Sequence, residues 1–308
     1  MSGKKEPTAV VVGLGQASLD FLGVIDAYPE PDSKCEFTGL TVQGGGPAAT
    51  ALVTLSRLGL KTALVGEVGD DDFGRLIRAG LIREGVDVSR LAVAPGGVSQ
   101  FAFIAVEPNL GRRTIFWRRG ADTDSATGLI TPDIIRDAGL LHLDGLKLKA
   151  SLSAARAARR AGVPVVFDAG TLRPGYLDLA ALTDYLICSE RFFRSFHPQE
   201  GEKEGLARIL ALGPRQAVVT LGDRGSVGFD GRLYHRQPAY RVKVVDTTGA
   251  GDVYHGAYIF GILAGWDLPG CMRFASAAAA LKCEKVGGRA GIPNLTRLRD
   301  FMGPDYPG

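Results

Sequence analysis

Short runs of β-branched residues alternate along this chain with segments whose apolar residues recur every three to four positions. Val10 to Gly13 reads as a buried first strand ended by glycine. A helix is predicted from Pro47, a favoured first helical position. Its apolar face is Ala48, Ala51, Leu52, Leu55 and Leu58, and Gly59 stops it. Strands are then predicted over 62–65, 140–143, 163–167, 185–188 and 217–221, with helices over 72–84, 151–161 and 203–212 between them. Asp230-Gly231 sits between two alternating runs and marks a hairpin. Strands separated by helices imply a mostly parallel sheet covered on both faces, a three-layer αβα architecture. Two stretches break the alternation. Residues 19–28 and 35–42 flank a turn at Pro29-Glu30-Pro31-Asp32, and residues 100–106 and 113–117 flank one at Asn109-Leu110-Gly111. These strand pairs, within about 16–43 and 98–119, are expected to form a small accessory sheet, a lid inserted into a single domain spanning 1–308.

Composition serves mainly to exclude. The formal net charge is only +3, and the basic residues stand singly or in pairs, which argues against a nucleic-acid partner. No apolar run reaches the ~20 residues of a membrane helix, and the opening MSGKKEP carries no apolar leader core. The four cysteines, Cys35, Cys188, Cys271 and Cys283, lack metal-site spacing. They are expected to be reduced thiols in a cytoplasmic protein.

The most informative segment is Val244-Val245-Asp246-Thr247-Thr248-Gly249-Ala250-Gly251-Asp252, followed by an apolar, helix-compatible run to Phe260. It reads as a strand entering a small-residue turn that opens a helix. Such a turn lets backbone N–H groups crowd around an anion, and the helix start adds unpaired donors. Asp252 at the same turn can accept the proton of an attacking hydroxyl, or it can simply cap the helix. The chain has no G-x-x-x-x-G-K-[ST] motif. Gly13-Leu14-Gly15-Gln16-Ala17-Ser18 lacks the third glycine and the following helix of a dinucleotide fingerprint.

The DTTGAGD segment, with Gly44-Gly45-Gly46-Pro47-Ala48-Ala49 before a helix and Asp20 after the first strand, resembles the PfkB, or ribokinase-like, carbohydrate kinases. The likeness runs from Val10 to about Pro293. Within it, GGGPAATA, VVDTTGAGDVYHGA and RFASAAAALKC with GGRAGIP are most similar to sulfofructose kinases, and the spacing from Leu19-Asp20 to Asp32-Ser33 to ketohexokinases. The resemblance implies a ribokinase-like core and transfer of the ATP γ-phosphoryl group to a sugar hydroxyl. Asp252 would be the base, and Gly249, Ala250 and Gly251 the anion hole. Asp20, Gly44, Gly45 and Arg113 would meet the substrate, and Thr220, Gly222 and Gly225 the nucleotide, with Asp223 as a turn residue. The helix holding Ala275 to Leu281 would border the adenine. The resemblance also implies Mg²⁺, allows a monovalent cation such as K⁺, and implies a homodimer joined through lid strands. The substrate is expected to be a ketose or related sugar, with an anionic end if Arg113, Arg118, Arg119 and Lys147 serve it. Ribokinase or nucleoside kinase activity, or a silent sugar- or nucleotide-binding regulator on the same fold, are the alternatives.

Three positions depart from the family pattern. Ala49 stands where an asparagine often meets the sugar. Ser189 and Phe192 replace the ends of an N-x-x-E motif that helps organise Mg²⁺, leaving Glu190 as the nearby carboxylate and the metal ligands open. Leu146 replaces a substrate-binding arginine, and its neighbour Lys147 is expected to point elsewhere. Asp168, at the C-terminal end of a strand, reads equally as a ligand contact or a cap. His255 is expected to be packed or solvated rather than catalytic.

Overall fold

The computed structural model describes residues 10–110, 112–120, 128, 130–198 and 201–307. The opening seven residues and Gly111 of the 109–111 turn lie outside them. The strands are β1 (Val10–Leu14), β2 (Ser18–Val24), β3 (Gly39–Gly45), β4 (Lys61–Gly69), β5 (Val86–Asp87), β6 (Leu91–Ala94), β7 (Phe101–Glu107), β8 (Arg112–Arg118), β9 (Leu140–Leu143), β10 (Val165–Ala169), β11 (Tyr185–Ser189), β12 (Gln216–Thr220), β13 (Ser226–Phe229) and β14 (Tyr234–Gln237). The large sheet has the order β14-β13-β12-β11-β10-β9-β1-β4-β5, with β6 also on β4. It is parallel from β12 through β5, and β13 and β14 add an antiparallel hairpin at one edge. Strands β9, β10 and β11 are apolar along nearly their whole length because both of their faces are covered.

Helix α1 (Pro47–Arg57), α2 (Asp72–Arg83), α8 (Ala250–Leu263), α9 (Leu268–Lys282) and α10 (Leu295–Met302) share one apolar core on one face of the sheet. The other face is covered by α3 (Pro132–Asp137), α4 (Leu148–Ala161), α5 (Tyr176–Ala180), α6 (Glu190–Phe196) and α7 (Glu202–Leu210). Helix α4 shows the logic: Ala150, Ala154, Ala155 and Ala158 form its buried stripe, and Gly162 closes it in the left-handed conformation at φ 72°. Helix α8 is buried from Val253 to Gly261, wedged between α1 and α9. A Cβ on Gly256 would lie 2.6 Å from Ala51 O, so that glycine lets α8 lie against α1. This contact fixes the height at which the first turn of α8 meets the sheet.

The second sheet has the order β3-β2-β7-β8 and is built from the four expected lid strands. Its buried cluster is small: Leu22, Ala102, Ile104 and Val106, with Val286 against it. Two boundaries differ from the expected ones, since β2 ends at Val24 and β3 begins only at Gly39. The intervening residues are mostly exposed, with Ile25 buried and Phe37 packed against Phe103. A further correction concerns Val244 and Val245, which are not in a strand. They form an extended strap tied to the end of α9, with the Val245 and Asp246 N–H groups on Cys283 O at 2.8 and 3.2 Å.

Candidate active site

The strap turns into α8 through Gly249, whose φ of 73° is left-handed and whose Cβ would lie 2.9 Å from Gly288 Cα. Asp246 locks this turn. Its Oδ1 accepts the Thr248 N–H (2.9 Å) and hydroxyl (2.7 Å), and its Oδ2 accepts the Gly287 N–H (2.6 Å). Of the three turn residues expected to donate to an anion, Ala250 directs its N–H to Thr247 O at 3.2 Å. The N–H groups of Gly251 and Asp252, in the first turn of α8, have no acceptor among the described residues. Space beside Gly251 is open, with nothing within 4 Å of a Cβ placed there. A side chain at 251 would fill the cradle that these donors face.

Asp252 is the third residue of α8, while Gly249 takes the cap position, so Asp252 is not the helix cap. Burial, with the charge of Asp168, pushes its pKa up to about 7. His255, one turn on, sits under it. His255 Nδ1 is 2.6 Å from Gly251 O, and Nε2 is 3.3 Å from Ile187 O and 3.4 Å from Asp168 Oδ1. Every one of those neighbours accepts hydrogen bonds when Asp168 is ionised. Asp168 caps no helix among the described residues, and its carboxylate faces His255 at 3.4 Å. Burial raises its pKa, and the charge of His255 acts the other way. Behind it, His142 is fully buried and its pKa is lowered by burial to about 3.

Asp20 lies on β2, buried, with its Oδ1 accepting the Ser18 hydroxyl at 2.8 Å. Burial raises its pKa. A Cβ on Gly45 would lie 2.0 Å from Asp20 Oδ2, and one on Gly44 would lie 2.2 Å from Arg289 Nη1. The two glycines therefore make room for the chain's own carboxylate and guanidinium. Arg289 is buried, donates to Gly45 O at 2.9 Å, and has its pKa lowered to about 10 by burial. Across the small sheet, Asp20 pairs with Ala102 and Ala102 with Trp117, so the three share a row and a face. Trp117 is 54% exposed on that face, two strands from Asp20 with the small Ala102 between them. From the same sheet Arg113 reaches the Thr247 hydroxyl, joining the lid to the strap.

The departures acquire physical meaning. Ala49 is fully buried in the core around α1. Ser189 caps α6, accepting the Phe192 N–H at 3.1 Å, and Glu190 is held by Arg194 and Arg224. Those two arginines lower the Glu190 pKa. No three His, Cys, Asp or Glu side chains among the described residues are grouped to hold a metal ion. The expectation for Lys147 is corrected. The strand has ended at Leu143 and the chain turns at Gly145 (φ 70°), so Leu146 and Lys147 line the same pocket with Gln16, Gln100, Glu67 and Arg119. Lys147 Nζ lies 3.6 Å from Glu67 Oε2.

On the opposite side, Thr220 ends β12 with its hydroxyl on Cys188 O at 3.3 Å, and Gly222 is exposed at a tight turn. Gly225 has a packing reason of its own, because a Cβ there would lie 2.0 Å from Gln237 O. Asp223 is exposed on that turn. The run Ala275–Leu281 lies in α9 as expected. Sequence reasoning missed Asp144, Arg289 and Lys282. Asp144 accepts the Gln16 and Leu146 N–H groups at 2.7 and 2.9 Å, and burial raises its pKa to about 6. The available signal for Arg289 was the glycine pair before it in GGRAGIP.

A three-layer α/β core with a small β lid, and a helix-opening glycine turn that carries an aspartate, define the ribokinase-like class of kinases. Residues 9–295 match the pfkB family of carbohydrate kinases, and the chain belongs to that family. It is a carbohydrate kinase. Among its relatives is the 5-dehydro-2-deoxygluconokinase of Clostridium perfringens, 27% identical, with 95% of this chain and 92% of the relative covered. Another is the ATP-dependent ribose-1-phosphate kinase of Halopiger xanaduensis, 28% identical, covering 95% and 97%. The solved structure of Arabidopsis thaliana ribokinase with ribose and ATP superposes with a TM-score of 0.83 at 25% identity, covering 96% of this chain and 99% of the ribokinase. Among the described residues, no helix is long and apolar enough to cross a membrane.

Proposed function

We propose that the protein transfers the γ-phosphoryl group of ATP to a hydroxyl of a keto sugar that carries an anionic group, with Asp252 as general base. The observation that carries this reading is the first turn of α8. It presents a carboxylate of raised pKa and two unengaged N–H groups on the side facing Asp20 and the lid. A sugar hydroxyl held at Asp20 would be oriented so that a second hydroxyl meets Asp252. That carboxylate takes the proton as the oxygen attacks phosphorus. The Gly251 and Asp252 N–H groups face the charge that develops on the equatorial phosphoryl oxygens. Arg113 adds a cation from the lid, and the Thr220–Gly222–Gly225 loop offers the nucleotide side of the cleft. Mg²⁺ on the ATP phosphates would supply charge neutralisation between the β and γ groups.

The substrate class rests on the pocket beyond Asp20. Arg119, stacked over Trp117 at 5.5 Å, and Lys147, which pairs with Glu67 in the same pocket, are its cations. The Clostridium and Halopiger relatives are named for a keto sugar acid and a sugar phosphate, both anionic. ATP as donor suits a cytoplasmic setting. The outer face of the lid exposes Leu40, Val42 and Phe116, and an exposed apolar sheet face of this kind is suited to pairing with a second copy. ADP release measured over fructose, tagatose, sulfofructose, a keto sugar acid, ribose 1-phosphate, ribose and adenosine tests the reading. The anionic keto sugars should give the highest kcat/KM. A tenfold preference for ribose or adenosine would refute the substrate class, and binding without any ADP release would refute catalysis.

A further inference from the structure

Lys282, the last residue of α9, is fully buried, and its ammonium donates to the main-chain oxygen of Asp246 at 2.8 Å. Burying a cation costs several kcal/mol unless the surroundings compensate it, so an apolar residue would serve a purely structural position better. The surroundings here are specific. Asp246 is 2% exposed, and its carboxylate is turned to Thr248 and Gly287. Its main-chain oxygen is left for the ammonium. Burial lowers the Lys282 pKa, and the negative charges of Asp246 and Asp252 act in the opposite direction. Asp246 leads from the strap into the proposed anion-hole turn: Ala250 N–H bonds Thr247 O, and Gly249 rests on Gly288. A carbonyl oxygen beside a carboxylate is also the oxygen environment that a dehydrated monovalent cation takes.

We propose that Lys282 is a built-in monovalent cation, a positioning residue whose ammonium fixes the strap and places positive charge behind the anion hole. The enzyme therefore needs no K⁺ or other free monovalent cation for turnover. The K⁺ that the family resemblance allows does not fit at this place, because the ammonium holds the Asp246 oxygen. The proposal rests on reading residues 246–252 as the phosphoryl-binding turn. The two can fail separately, since that reading is tested at Asp252 and this one by cation dependence.

The experiment compares wild type, Lys282→Ala and Lys282→Met in buffers of choline, Na⁺, K⁺ or NH₄⁺ at constant ionic strength, reading both kcat and Tm. For wild type, kcat should vary by less than about twofold among the cations and Tm should not respond to K⁺ specifically. Lys282→Ala should lose about tenfold or more in kcat, and NH₄⁺ or K⁺ should restore part of the activity and raise its Tm, while choline should not. Lys282→Met fills the space without charge and should be impaired with no rescue. Activation of wild type by K⁺ of about tenfold or more would overturn the proposal. So would Lys282→Met with wild-type kcat, or a folded Lys282→Ala that is impaired and that no small cation restores. If Lys282→Ala does not fold, the wild-type comparison and Lys282→Met decide.

Discussion

The first turn of α8 and the lid sheet face the same cleft but are held in place by different means. The turn is fastened from every side: the Asp246 carboxylate accepts three hydrogen bonds, Gly249 packs on Gly288, His255 ties α8 to β10 and β11, and α8 is buried along nine consecutive residues. The lid has one cluster of four buried residues, and its edge strand β8 is exposed at every position. Charges beside the turn are enclosed, with Asp144, Asp168 and Asp252 all raised by burial, whereas the lid offers aromatic and arginine side chains to solvent. The difference assigns the parts. On the proposed reading, the enclosed edge of the core would hold the reacting groups, and the exposed side chains of the lid would supply recognition.

The sharpest break of this contrast is at Asp252. Asp252→Asn should cut kcat by about 10²–10⁴-fold with little change in KM, the usual contribution of a positioned base, read by steady-state ADP release. Asp20→Asn sits where core and lid meet. Losing a buried acceptor for a sugar hydroxyl costs roughly 1–3 kcal/mol, so kcat/KM should fall by about 5- to 150-fold, mostly through KM.

His255→Gln sharpens the electrostatic side. In wild type, kcat should rise with pH as Asp252 ionises, around its raised pKa of about 7. The positive charge of His255 lowers that pKa, so its removal should move the rising limb to higher pH. A limb that stays in place would show the histidine to be only a packing group.

The smallest effect is thermal. A carboxyl whose pKa is raised on folding binds more protons folded than unfolded, so it favours the folded state at low pH. That contribution is lost as pH rises through the folded value. Asp252→Asn should therefore raise Tm above pH 7, by about 2–4 °C per kcal/mol of relief, and leave it nearly unchanged at pH 4. Equal shifts at both pH values would contradict the burial of that charge.

Much of the core was legible in the sequence because its signals are local. Leu140 to Leu143 has the composition of a strand buried on both faces, and α1 and α4 carry a start, a stripe and a stop within one window. The DTTGAGD turn was legible as chemistry because its residue types and spacing are themselves the device. What escaped depends on contacts between distant segments. Val244-Val245 has the composition of a strand, but the nearest partner is the end of α9, so it lies there as a strap. Arg289, Asp144 and Lys282 read as ordinary charged residues until the fold brings them to Gly44, Gln16 and Asp246. Lys147 was misjudged because alternation of side chains applies only while the strand lasts, and the chain had already turned at Gly145.

The division between core and lid is tested most directly by steady-state kinetics of Asp252→Asn and Trp117→Ala, side by side, on the best substrate of the sugar panel. The account predicts that Asp252→Asn lowers kcat and leaves KM within about twofold. It predicts that Trp117→Ala raises KM by about 5- to 10-fold, the loss of an aromatic platform worth about 1 kcal/mol, and leaves kcat nearly intact. An Asp252→Asn enzyme that keeps near wild-type kcat, or a Trp117→Ala enzyme whose defect lies wholly in kcat, would contradict it.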